Sequence, residues 1–336
     1  MKKTKIVAAA ACAALLALGL FGCGGGNASS GDKGGSDAGS KATTENLRFV
    51  TGGESGTYYA YGNVLGQYAT NGDYGLNVSA LSGNGSQANI QALEDDDADI
   101  AFCQSDVLAY AYDGTNLFEG TPYEDFSIVA DLYQEQVQIV TCDPSIKTVA
   151  DLAGKTVSVG AAGSGVYFNA LDVLGVYDLT LDDINPVYQS FADSADSLKD
   201  NKIDAAFIVA GAPTTAITDL STTKTAYLVS MDDAHVDELM AISPYYSKAV
   251  IPADTYGLEG PTTTVSVGAV IIANNSVSED AIYNFTKSIF EGADNNADAH
   301  AKYKELVIED AAGITSVPYH PGAAKYYEEQ DVTVGK

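Results

Sequence analysis

Short apolar runs of strand length alternate with helical patterns through most of this chain, and that alternation restricts its fold more than any other feature. Strands are expected over residues 47–50, 76–81, 98–103, 137–141, 156–160, 184–188 and 205–210. Helical patterns open between them, at Thr57 or Tyr58, at Gln87, behind Gln104-Ser105-Asp106, at Val166, at Ala192 and behind Gly211-Ala212-Pro213, where Pro213 suits a first helical turn. Strands separated by helices pair in parallel, so the expected class is α/β, with helices on a mostly parallel sheet.

The turns between these elements carry the candidate chemistry. Residues 47–59, LRFVTGGESGTYY, read as a strand, a glycine-rich turn and a helix start. Such a turn offers free N–H groups and the positive end of a helix dipole to an anionic or polar guest. It is not a Walker loop, because no Gly-Lys-Ser/Thr follows, and its glycine spacing fails the dinucleotide fingerprint. Residues 82–86 (SGNGS) and 161–165 (AAGSG) are turns of the same kind. Thr57, Tyr58, Ser86, Gln104, Ser105, Ser164, Gly165 and Gly211 thus stand at strand-to-helix turns and offer hydroxyls, one amide and N–H groups. Arg48, the chain's one arginine, opens the first strand, away from that end, so a carboxylate would be held without a guanidinium. Glu135 is the candidate to meet a ligand ammonium. Helix capping accounts equally well for each hydroxyl, packing for Tyr58, and a solvated or salt-bridged acid for Glu135.

Two segments echo each other. Residues 76–106 run strand, serine-bearing loop, helix, then Asp99-Ile100-Ala101-Phe102; residues 184–213 do the same and reach Asp204-Ala205-Ala206-Phe207. Two similar lobes are expected to point strand ends and helix starts at a shared cleft. Lobe one is expected over 46–140 plus 265–336 and lobe two over 141–264. Crossovers are expected at 137–141 and 264–273, and a helix over 278–291 should pack on lobe one through Ile282, Phe285 and Ile289.

Lys2, Lys3 and Lys5 precede an apolar run from Ile6 to Leu20, too short to span a bilayer, and Leu20-Phe21-Gly22-Cys23 resembles a bacterial lipobox. Residues 1–22 are thus expected to be a lipoprotein signal peptide and Cys23 the lipidated residue. Residues 23–45, with almost no apolar content, are expected to be a flexible tether reaching roughly 25 Å. The formal net charge of −28 argues against nucleic acid and anionic lipid surfaces as partners. Cys103 and Cys142 are equally compatible with two free thiols and one bridge, and no Cys/His cluster suggests a metal.

The chain resembles the solute-binding subunits of TAXI-type TRAP transporters. The resemblance rests on Thr51-Gly52-Gly53 through Tyr59, on residues 98–106, on Leu132-Tyr133 with Glu135, and on residues 151–160 with Gly163-Ser164-Gly165. Residues 191–195, 209–214 and 319–327 complete it. It implies a type II periplasmic-binding-protein fold, two lobes joined by crossover strands with a ligand clamped between them. It also implies a monomeric, cofactor-free extracytoplasmic receptor, lipid-anchored to the cell membrane, that hands a small organic anion or amino acid to an ion-gradient-driven permease. Glutamate, glutamine or a dicarboxylate is the implied cargo. The turn over 82–86 departs from the family's Thr-Gly-Gly by one extra residue, which bears on ligand identity. An ATP-driven (ABC) importer or a sensor kinase would use the same receptor. An enzyme is disfavoured, because Gly163-Ser164-Gly165 lacks the nucleophile-elbow pattern and no histidine stands at a strand-end turn.

Overall fold

Strands with both faces covered read as near-continuous apolar runs, and Ile100–Gln104, polar only at its last residue, and Ala205–Ala210 are buried at every residue. The computed structural model describes residues 44–335, so the signal peptide, Cys23 and nearly all of the tether lie outside the described residues. The first half runs β1 (Glu45–Val50), α1 (Thr57–Asn71), β2 (Leu76–Leu81), α2 (Ser86–Glu94), β3 (Ile100–Gln104), α3 (Ser105–Asp113) and β4 (Phe126–Thr141). The second runs β5 (Thr156–Ser158), α4 (Val166–Val176), β6 (Asn185–Val187), α5 (Phe191–Lys199), β7 (Ala205–Ala210), α6 (Thr215–Ser221), β8 (Tyr227–Leu228), α7 (Asp233–Ile242) and β9 (Ser247–Ile251). β10 (Thr262–Asn274) returns to the first half, where α8 (Glu279–Asn295), α9 (Ile308–Ala311) and α10 (Pro321–Glu329) close the chain.

The sheet order is β2-β1-β3-β10-β4-β7-β5-β6. β1 pairs in parallel with β2 and β3, and β5 pairs in parallel with β6 and β7. The two halves repeat one another outward from the central pair, which is the echo seen between residues 76–106 and 184–213. β4 and β10 are antiparallel to each other and to the strands beside them. This is the mixed two-lobe architecture of periplasmic-binding-protein-like folds.

Each lobe has its own core. Phe102 stacks on Phe49 with ring centroids 5.2 Å apart, and Phe49 meets Phe285 of α8 edge-on at 5.8 Å. Ile282, Phe285 and Ile289 are all buried, as the 3.6-residue period requires. The second lobe packs Val157, Val173, Leu174 and Phe207 together.

The long crossover strands divide elsewhere than expected. β4 starts at Phe126, eleven residues before the expected crossover, because residues 126–133 pair with β10 inside lobe one. Val137, Val140, Val265 and Val267, assigned to lobe one by sequence, pack into the cores of lobe two. Pro213 does not enter a first helical turn; it precedes Thr214, the N-cap of α6. Cys103 and Cys142 are separate free thiols. Arg48 bonds Asp99 and Asp96. Burial pushes the Asp99 carboxyl up, but the Arg48 guanidinium and backbone N–H outweigh it and hold that carboxyl below its usual range.

Candidate functional site

Four helices start at the junction of the lobes: α1 and α2 from the first, α4 and α5 from the second. Their first residues frame a cleft with about 100 Å³ of room for a guest. The N-caps of α1, α2 and α4 are Gly56, Gly85 and Gly165, and none supplies a side-chain cap. The Ala88 N–H of α2 donates to the Gly163 carbonyl across the lobes at 2.9 Å, and the Phe168 N–H of α4 donates to the Gly165 carbonyl at 3.1 Å. The first-turn N–H groups that remain keep no side-chain partner and can turn to a guest. Only α5 is capped, by the Ser190 hydroxyl, which accepts from the Asp193 N–H. Gly85 is needed on two counts. Its φ of +103° disfavours side chains, and a Cβ there would lie 3.1 Å from Ser164 Cα of the other lobe.

Ser164 faces this cleft with a buried hydroxyl that has no hydrogen-bond partner. Native proteins rarely leave such a group unpaired, because its desolvation costs about 1–3 kcal/mol. Glu135 lines the cleft from β4 and is 3 % exposed. Its Oε2 accepts from the Tyr58 hydroxyl at 2.6 Å, and Tyr58 is fixed by stacking on Phe102 at 4.5 Å. Burial pushes the Glu135 carboxyl well above its ordinary range, against the pull of the Tyr58 hydrogen bond.

The other expected residues divide. Ser86 lines the cleft, and its hydroxyl accepts from the Gln104 backbone N–H at 3.1 Å. Gln104 lines it too and donates from Nε2 to Asn169 Oδ1 across the lobes at 2.9 Å; it does not cap α3 with its side chain. Gly165 lines the cleft against Gln104. Thr57 is at the wall, but its hydroxyl donates to the Gly211 carbonyl at 2.9 Å, so it joins the lobes and is not left for a guest.

Ser105 and Gly211 do not line the cleft. The Ser105 hydroxyl accepts from the Gly268 N–H of β10, because its place at the start of α3 turns it to the crossover strand. Gly211 lies behind the wall, where a Cβ would come 2.3 Å from Lys302 Cε. Lys302 is a neighbour of the wall that sequence reasoning missed. Its side chain is 3 % exposed, bonds the Ala212 carbonyl at 3.1 Å and lies over the Tyr133 ring. Asn169 was missed as well, although one asparagine in the apolar run VYFNALDVL was a readable signal.

The Ser164 hydroxyl touches no base. Among the described residues, no group of three or more His, Cys, Asp and Glu could hold a metal, and no helix is long and apolar enough to cross a membrane.

The fold and cleft define a two-lobe, periplasmic-binding-protein-like molecule. The chain belongs to the NMT1-like family, whose model matches residues 49–330. Among solved structures it is similar to one described as a periplasmic transporter, at 14 % identity, with 86 % of this chain and 94 % of that one covered and a TM-score of 0.51. It is similar to a protein of Bordetella bronchiseptica RB50, at 16 % identity, 85 % and 89 % coverage and a TM-score of 0.51. A third similar structure is the alkanesulfonate-binding protein SsuA from Xanthomonas axonopodis pv. citri bound to MOPS, at 15 % identity, 86 % and 91 % coverage and a TM-score of 0.47.

Proposed function

We propose that this chain is the extracytoplasmic solute-binding receptor of an importer and that its solute is a small carboxylate, with glutamate, glutamine and C4-dicarboxylates the leading candidates. The observation that carries this reading is the unpartnered Ser164 hydroxyl among three helix starts with glycine caps. Uncapped helix N-termini favour an oxyanion without a lysine or arginine. Glu135 is the one carboxyl in the wall, and it favours a solute that also carries an ammonium, such as an amino acid, whose charge would favour ionisation of that carboxyl. The resemblance over residues 47–327 supports a TRAP permease as the partner, and the residues before Cys23 support export and lipid anchoring.

A thermal-shift screen tests the solute class. Ligand at about 100 times its dissociation constant should add about 2.7 kcal/mol of stability. Stabilisation by amino acids or dicarboxylates is expected; stabilisation by neutral sugars or polyamines alone would sink the reading. Uptake by vesicles holding the partner permease, driven by an ion gradient without ATP, is expected for a TRAP system. A requirement for ATP would reassign the partner.

A further inference from the structure

A second polar chain crosses between the lobes, beside the cleft but outside its wall. Asp106 of α3 belongs to lobe one, while Asn169 and Asp172 of α4 and Tyr246 belong to lobe two. Asn169 Nδ2 donates to Asp106 Oδ2 at 2.9 Å and to the Tyr246 hydroxyl at 2.8 Å. That hydroxyl in turn donates to Asp172 Oδ2 at 2.8 Å. Two carboxylates from opposite lobes are thus brought onto one short hydrogen-bonded chain. Asp106 is fully buried, and its Oδ1 has no partner.

The surroundings offer no compensating side-chain charge; only the first-turn N–H groups of α3, at Asp106 and Val107, favour the carboxylate. The titratable groups that act on Asp106, or on which it acts, are Asp172 and Tyr246 from lobe two, Tyr110 on its own helix, Tyr245, Cys103 of β3 and Glu135 of β4. Every one is an acid. An uncompensated buried carboxylate is strongly disfavoured, and the ordinary escape is to take up a proton. Burial pushes the Asp106 carboxyl up to about 7 against the pull of the Val107 N–H, and the Asp172 charge adds to it. A metal ion is the poorer guest, since Asp106 has one free oxygen and the Asn169 amide donors already stand between the carboxylates.

We propose that Asp106 is a proton-binding site created by closure, so that bringing the lobes together takes up a proton from solution. The proposal rests on the two-lobe fold and not on the solute. The sign follows from linkage. With the lobes apart, we take Asp106 to meet water, where a carboxyl titrates near the ordinary value of about 3.9. With the lobes together, its carboxyl titrates near 7. Closure is therefore favoured at low pH and weakened as pH rises through that window, by up to about tenfold per pH unit.

Small-angle scattering of the full chain, without added solute, tests this between pH 5 and pH 8. The radius of gyration should fall as pH falls in the wild type. In Asp106→Asn, whose side chain is neutral throughout, it should stay small at every pH. In Asp172→Asn the midpoint should move to lower pH, because a charge that raises Asp106 is gone. An unchanged radius in the wild type, or the same pH response in Asp106→Asn, would overturn the proposal. So would a radius that follows sodium, with choline as the control, at fixed pH. If Asp106→Asn does not fold by circular dichroism, Asp172→Asn decides, and an unmoved midpoint there overturns it.

Discussion

Gly165 and Gln104, on opposite lobes, approach so closely that a Cβ on Gly165 would sit 1.4 Å from Gln104 Oε1. The Gln104 amide cannot yield freely, because its Nε2 bonds Asn169 in a buried setting. Gly165→Ala should therefore break that interlobe bond or prop the lobes apart. Losing one buried hydrogen bond costs about 1–3 kcal/mol. Solute affinity should fall roughly ten- to a hundredfold, with each lobe still folded. The double variant Gly165→Ala/Gln104→Ala should lose less than the two singles together, since both act on one contact. Calorimetric titration of the four proteins checks this, and strict additivity would reject it.

Ser164 should behave in the opposite way in the free protein. Its hydroxyl is buried without a partner, so Ser164→Ala removes an unpaired group. The ligand-free melting temperature should hold or rise, while affinity for a carboxylate should fall about ten- to a hundredfold, the worth of one hydrogen bond to a charged group. A fall in stability with unchanged affinity would mean that the hydroxyl serves the fold and not the guest.

Much of this architecture was legible in the residues, and the reasons are local. The strand over 205–210 and the helix start at Val166 were readable because apolar runs and glycine turns are signals of neighbouring residues alone. The echo between residues 76–106 and 184–213 foretold the mirrored sheet halves. What stayed hidden depends on approach between distant segments. Thr57 is at a strand-end turn as expected, yet only the folded chain brings the Gly211 carbonyl to its hydroxyl. Ser105 has the same local signature as Ser86, and one points to β10 while the other supports the cleft. Lys302, in a short 3₁₀ turn far along the chain, gave no local sign of its burial beneath Gly211.

The anchor is open to a direct test in cells. Cys23→Ala removes the thiol that lipidation requires in the expected lipobox. The variant should leave the membrane fraction or accumulate as an uncleaved precursor. Fractionation and migration identical to the parent would show that Cys23 carries no lipid.

Glu135 gives the sharpest test, because stability and selectivity should move together. Its carboxyl is buried and pushed above its ordinary range, so its protonated form is favoured in the fold. The sign is fixed by that direction. The wild type gains from Glu135 fully below the unfolded value of about 4.3 and loses that contribution as pH rises toward neutrality. A glutamine side chain at this position would be neutral throughout, so Glu135→Gln should gain stability relative to the wild type between pH 4 and pH 7, read as urea midpoints. A solute ammonium beside Glu135 would offset the buried charge in the wild type and find no counterpart in the variant. Amino acids should then bind Glu135→Gln at least about tenfold more weakly, the cost of losing a charged hydrogen bond of about 1.5–3 kcal/mol. Dicarboxylates, which gain nothing from a second negative group, should bind equally well or better. If amino acids and dicarboxylates weaken alike, Glu135 orders the cleft through Tyr58 and does not read the ammonium.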